Sequence, residues 1–439
     1  MTPTVLRLAG PLVVERISVS LLSAVDAVLV GRYVGSDGVA AVGIGALMFW
    51  VPFAGAFGLD IATTAVVARD FGAGNSGGLE RTLRASMIVA FVWGALATIL
   101  LWPLAGPLLT MMAIHNEAHA FGVDYIRAAS LSFPLLMVLY AASGALRGVG
   151  NTWLPMLIII VLNIVNAIVT FVLISGVAGI EMEVLASGIG FASGGAVGGI
   201  LALAALATGL APIRYRLRHA LVTGKAEFQR LVNVGLPSGL EEVQFMVAFI
   251  VYTRIVSGLG STAIAAHTIA LRTLELALVP GFSLGGAATS LVSRYLGAKR
   301  PDLAERAAYI GRAWAVGIML TMGTLLFIFA PQFVGVFVND EEVIDTGANL
   351  LRIFAFAFPF MGLHASLGGA LRGAGDVRYV LGTLTFTAWC IRIPVAFLLA
   401  IPLGFGAPGA WVGATTENIV RGMLIFRRFE QGRWKEKEV

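Results

Sequence analysis

The stretch Ala145-Leu146-Arg147-Gly148-Val149-Gly150 returns as Ala370-Leu371-Arg372-Gly373-Ala374-Gly375, at an offset of 225 residues. The same offset carries Arg69-Asp70-Phe71-Gly72-Ala73 onto Arg294-Tyr295-Leu296-Gly297-Ala298. It also carries Glu80-Arg81 onto Glu305-Arg306, Phe133-Pro134 onto Phe358-Pro359, and Ala40-Ala41 onto Ala265-Ala266. One offset held over so long a stretch marks an internal duplication. The chain is therefore read as two related halves, residues 1–211 and 231–439, joined by a basic linker over residues 212–230.

The halves are apolar. Of 439 residues, 58% are hydrophobic and 13% charged, and the mean hydropathy is +0.88. Soluble domains carry about a quarter charged residues, so the fold class expected is an all-α polytopic membrane protein. A spanning helix needs about 20 mostly apolar residues. Twelve candidates appear, roughly 11–34, 40–68, 85–109, 125–144, 153–175 and 184–210, then 234–257, 263–292, 309–330, 349–370, 379–401 and 409–426. Each half thus holds six helices, and an even number makes the repeats parallel about an axis along the membrane normal. The first span carries Glu15, Arg16 and Asp26, unlike the apolar core of a signal peptide, and is read as a retained helix.

Most of the 30 lysines and arginines fall in alternate loops and at the two ends of the chain. Among them are Arg147, Arg372 and Arg421, read here as loop charges beside Arg216 and Arg218 of the linker. By the positive-inside rule both termini are cytoplasmic, and the net charge of +5 marks topology, not nucleic-acid binding. Cys390 is the only cysteine, so no intrachain disulfide can form.

Within Ile17–Val34 lies one carboxylate, Asp26. A charge at the centre of a lipid-buried helix costs about 2.5–3.5 kcal/mol on insertion scales, so it faces a cavity or a partner. Under the repeat Asp26 falls on Val251, and Asn166 falls on Ile391. The scaffold is duplicated and these polar residues are not, which tilts them toward function. Asn163, Asn166 and Thr170 share one face of the fifth span. Each alone could be a helix–helix hydrogen bond; together with Asp26 they offer oxygens for a proton or a small hard cation. Glu241 and Glu242, on the seventh span, are a possible second site or gate, or partners for Arg16, with a partly solvated structural role as the plainer reading. Arg272 and Glu275 are spaced to satisfy each other. Arg392 needs a carboxylate that the sequence does not identify, and Asp60 is equally open. Pro52, Pro134, Pro280, Pro359 and Pro394 are placed inside helices, as hinges or fixed bends. His267 and His364 stand alone. No metal-ligand spacing, nucleophile–base arrangement or phosphate-binding loop is present, so neither an enzyme nor an ATP-driven pump is expected.

Asp26 followed by Val30-Gly31-Arg32-Tyr33-Val34-Gly35 resembles the multidrug and toxic compound extrusion (MATE) family, prokaryotic type. So do Arg69 to Ala73, both Ala-Leu-Arg-Gly-x-Gly elements, Ala265-Ala266-His267 and Trp389 to Pro394. The resemblance covers nearly the whole chain. It implies two six-helix bundles around a central cavity, and export of drug-like or toxic organic compounds against entry of protons or sodium ions. It places the cation site of the N-terminal bundle at Asp26, with Asn166 at the family's fifth-helix asparagine. Thr170 stands where the family usually has an aspartate, and a sixth-helix threonine corresponds to Ser193. With one carboxylate instead of two, coupling to protons gains on coupling to sodium.

The implied partners are the lipid bilayer and small-molecule substrates, with no cofactor, no nucleic acid and no ATPase subunit. A monomer in the plasma membrane is expected. A lipid or polyisoprenoid-linked flippase of the same wider superfamily is the alternative function. It would want a strongly cationic cavity.

Overall fold

A computed structural model describes the chain apart from residues 113–115, 178, 180, 181, 211, 216–222, 438 and 439. Arg216 and Arg218 of the linker lie outside the described residues. All regular structure among the described residues is helical. The first half runs α1 (Thr2–Tyr33), α2 (Ser36–Leu47), α3 (Trp50–Gly72), α4 (Ser76–Met111), α5 (Asn116–Ser130), α6 (Phe133–Gly148), α7 (Trp153–Ile174) and α8 (Glu183–Thr208). The second runs α9 (Lys225–Ser257), α10 (Ser261–Gly297), α11 (Pro301–Ile328), α12 (Ala330–Gly335), α13 (Glu341–Ala355), α14 (Phe358–Gly373) and α15 (Val377–Thr387). A single π-helical turn, Ala388–Arg392, then leads into α16 (Ile393–Ala400) and α17 (Gly406–Glu430).

Eight of these helices are long and apolar enough to cross a bilayer, and ten spans result when each of two bent pairs is taken as one. The two remaining long helices, α1 and α17, carry charge in their middles: Glu15, Arg16 and Asp26 in one, Glu417 and Arg421 in the other. The expected spans 40–68, 125–144 and 349–370 each fall on two helices, α2 and α3, α5 and α6, and α13 and α14, and most helices begin earlier or run on further than the apolar stretch.

The prolines correct part of the reading. Pro280 lies inside α10, but Pro134 and Pro359 stand in the first turn of α6 and α14. The bends of 52° and 50° fall just before them, between α5 and α6 and between α13 and α14. Proline lacks the N–H that a helix interior needs and disfavours helical geometry in the residue before it, so it begins the second segment. Pro394 likewise opens α16 after the π turn, and Pro52 sits in the first turn of α3.

The chain forms two compact units, Val14–Gly239 and Met1–Val13 with Leu240–Val439. In the first, α9 begins with Glu227 accepting from Arg81 at 2.6 Å and Arg230 bound to Asp70 at 3.0 Å. Gly58 and Gly235 then bring the α3 and α9 backbones into contact. In the second, Val5, Leu8 and Ala9 of α1 pack among Leu284, Ala287 and Leu291 of α10 and Ala307 and Ala315 of α11.

The repeated motif has a structural reason. The hydroxyl of Thr64 donates to the carbonyl of Gly144 at 3.1 Å, and that of Thr289 to Gly369 at 2.9 Å. A Cβ at Gly148 or Gly373 would press on the Thr64 or Thr289 carbonyl. Gly150 and Gly375 turn the chain at φ 88° and 90°, a conformation that glycine adopts without a Cβ penalty.

Candidate functional site

α7 and α8 run antiparallel in close contact because α8 presents glycines to its neighbour. A Cβ at Gly190 would collide with Thr170 Oγ1, one at Gly194 with the Leu162 carbonyl and Asn166 Cβ, and one at Gly198 with the Leu162 side chain. Small residues at such spacing let membrane helices approach and hold by packing. Ser187 lies one turn before Gly190 on that stripe and is fully buried. Its hydroxyl donates to Asp26 Oδ2 of α1 at 2.6 Å. The other carboxylate oxygen, Oδ1, is buried and has no hydrogen-bond partner within the protein. Tyr125 of α5, also buried, lies within the field of the Asp26 charge.

Below this point Asn163 Nδ2 donates to Ser18 of α1 at 2.6 Å. Asn166 and Thr170 are buried, and the Thr170 hydroxyl donates to Asn166 Oδ1 at 3.2 Å. From the Ser18–Asn163 contact, Asp26 is about 12 Å further along α1 and Thr170 about 10 Å further along α7. The two residues therefore stand at one level, both against the first turns of α8, and no hydrogen bond joins them. Ser193 is half-buried and six residues beyond Ser187, on another face of α8. The α8 hydroxyl bonded to Asp26 is that of Ser187, not that of Ser193, to which the family resemblance pointed. The stripe 187, 190, 194, 198 could have revealed it, since it puts a serine in line with three close-contact glycines.

Beside α1 and α7 runs a shallow apolar groove of about 290 Å³ lined by Val14, Ile17, Leu21, Val25, Ile160 and Ile164 among others, with Ser18 and Asn163 at its floor.

Arg147 requires a second correction. It is not a loop charge: it is buried at the end of α6, with Nη1 on Asp60 and Nη2 on Glu15, both at 2.6 Å. Arg372 at the end of α14 holds Glu241 through two bonds, the shorter 2.5 Å. Glu15 and Glu241 each stand four residues after a proline in the first helix of their half, Pro11 and Pro237. The repeated arginine therefore carries a repeated ion pair, and Glu241 is buried rather than partly solvated. Glu242 is half-buried and contributes to the field at Arg372. Arg272 and Glu275 pair at 3.2 Å in the open, as their spacing indicates.

Arg392 finds its carboxylate in Glu417 of α17, at 2.8 Å. Glu417 is fully buried and is also bound by Arg421 and by the hydroxyl of Thr387. Arg421, too, belongs to the interior and not to a loop. Among the described residues no group of three histidines, cysteines or carboxylates is placed to hold a metal ion.

Apolar helices long enough to cross a bilayer, buried ion pairs and an isolated carboxylate in α1 mark a polytopic membrane protein, and the comparisons give the family. The MatE family model matches residues 11–172 and 237–398, once in each half, and the chain belongs to this family of multidrug efflux transporters; it is not an enzyme. It is 30% identical to the multidrug resistance protein PmpM of Pseudomonas aeruginosa, over 93% of this chain and 87% of that one. It is 26% identical to a probable multidrug resistance protein NorM of Thermotoga maritima, over 99% of this chain and 93% of that one. Among solved structures, a MATE in its bent conformation superposes with a TM-score of 0.92 at 21% identity, over 99% of this chain and 96% of that one. A mutant of the Vibrio cholerae transporter VcmN gives 0.91 at 20% identity, over 99% and 98%.

Proposed function

We propose that this protein is a secondary antiporter that exports amphipathic organic cations in exchange for protons bound at Asp26. The observation that carries the reading is the half-satisfied carboxylate: Oδ2 is held by Ser187 and Oδ1 has no partner within the protein. A carboxyl group in that setting can take up and release one proton at Oδ1 while Ser187 keeps it in place. Sodium is less well served. It wants several oxygen ligands, yet Asn166 Oδ1 already accepts from Thr170, and among the described residues no group of three carboxylates, histidines or cysteines is placed to hold a metal ion.

Neutralising Asp26 changes which packing of α1 against α8 is favoured, and such a two-state element lets proton binding bias the transport cycle. α1 is one continuous helix whose first residues belong to one compact unit and whose remainder belongs to the other. Inward movement of a proton supplies about 2.3 kcal/mol per 100 mV. The protein works as a monomer in the bacterial inner membrane, with both termini cytoplasmic, in keeping with the distribution of its basic residues.

The test is export of a fluorescent cationic dye by the purified protein in proteoliposomes. An imposed pH gradient is expected to drive export, and a sodium gradient at equal pH is not. Export that follows sodium alone would overturn the choice of ion, and no export under either gradient would overturn antiport.

A further inference from the structure

The unit containing Leu240–Val439 has a buried polar cluster that coupling at Asp26 does not use. His267 of α10 is 1% exposed, Tyr252 of α9 is 3% and Arg392 of the π turn is 6%. The Trp411 indole, which can only donate, gives its hydrogen to His267 Nδ1 at 3.2 Å. The imidazole proton is therefore on Nε2, and Nε2 has no partner within the protein. The Tyr252 hydroxyl and Arg392 Nε have none either. These groups are neighbours: the Arg392 guanidinium lies 5.8 Å from the Tyr252 ring, and that ring 5.8 Å from the His267 ring. What they have in common is a hydrogen to donate. Buried donors are met by an acceptor, protein or not, in nearly all native structures.

The charges point to which acceptor. Arg392 and Arg421 share one carboxylate, Glu417. The next ion pair, Arg372 with Glu241, is balanced, and Glu242 bears on Arg372. Around Glu417 itself two guanidiniums therefore meet one carboxylate, and Arg392 keeps an unbonded Nε for a further acceptor. In the first half the position matching Arg392 is Ala167 on an unbroken α7. Here it falls on a π-helical turn, a feature frequent at functional sites.

From this juxtaposition of three orphaned donors, beside two guanidiniums that share one carboxylate, we infer that His267, Tyr252 and Arg392 form a binding site for a singly charged anionic group. That group is either a free halide-sized anion or the carboxylate of a zwitterionic substrate. The site is independent of Asp26, and an Asp26→Asn variant is expected to keep it.

The experiment is titration calorimetry on the full chain in nanodiscs, with two arms. Sodium bromide probes the free anion; 4-(aminomethyl)benzoate against its methyl ester probes a substrate carboxylate. Saturable binding of bromide, or of the acid at least tenfold tighter than the ester, is expected. Tyr252→Phe, which removes only the hydroxyl, should weaken it about tenfold. Arg392→Lys, which keeps the charge and moves the donors, should weaken it as well and guards against a folding defect in the first variant. Bromide binding alone identifies a free anion, and acid binding alone a substrate group. Binding by neither probe, or binding unchanged in both variants, would overturn the proposal and leave the donors to water.

Discussion

The two halves of this chain hold the same ion pair and differ in what surrounds it. Glu15 with Arg147 and Glu241 with Arg372 occupy equivalent places, as do the hydroxyls of Thr64 and Thr289 on glycine carbonyls. The fifth and sixth helices of the halves diverge. The first half has Ser187 on one carboxylate, Asp26, with no cation bonded to it, while Asn163 bonds Ser18 and Thr170 bonds Asn166. The second has Arg392, Arg421 and Thr387 around one carboxylate, Glu417. What the duplication kept is scaffold. What each half changed is the company of its carboxylate, a serine hydroxyl at Asp26 and two arginines at Glu417.

Substitutions can break this comparison at several levels. The largest effect is expected at the shared pair. Arg147→Ala leaves buried Glu15 and half-buried Asp60 without their cation and should cost about 3–5 kcal/mol. Arg372→Ala orphans Glu241 and should cost less than Arg147→Ala. Thermal unfolding in detergent measures both, and a stable Arg147→Ala protein would remove the scaffold role. Next comes the α7–α8 contact. Gly190→Ala should cost about 1–3 kcal/mol by overpacking, with part recovered when Thr170→Ala is added. Ser187→Ala should cost about 1.5 kcal/mol and slow gradient-driven export, whereas Ser193→Ala should change neither. Equal effects of the two serines would contradict the assignment of Ser187. The smallest effect is expected at Arg272→Ala, in a pair whose side chains are 65% and 60% exposed. Its stability should stay within about 0.5 kcal/mol of wild type.

Much of the fold could be read from sequence because apolar length and the 225-residue offset are both linear signals. The bends before Pro134 and Pro359 escaped, since hydropathy runs smoothly across Ser130–Phe133 and Ala355–Phe358 while the helix does not. Arg147, Arg372 and Arg421 were misread for a different reason. An arginine near the end of an apolar run looks like a loop charge, and only the fold shows that its side chain turns inward to Glu15, Glu241 or Glu417. Asp26 stood out because a lone carboxylate in a span is conspicuous. Its partner did not, because Ser187 is one of two serines in α8, and only the fold shows which of them meets α1.

The central claim is that Asp26 couples a proton to export. Its most direct test compares wild type with Asp26→Asn, which keeps the shape and Ser187 contact but cannot ionise, in proteoliposomes under one imposed pH gradient. The account predicts that the folded variant exports no dye above the rate seen without a gradient. Export by the variant at the wild-type rate would contradict it.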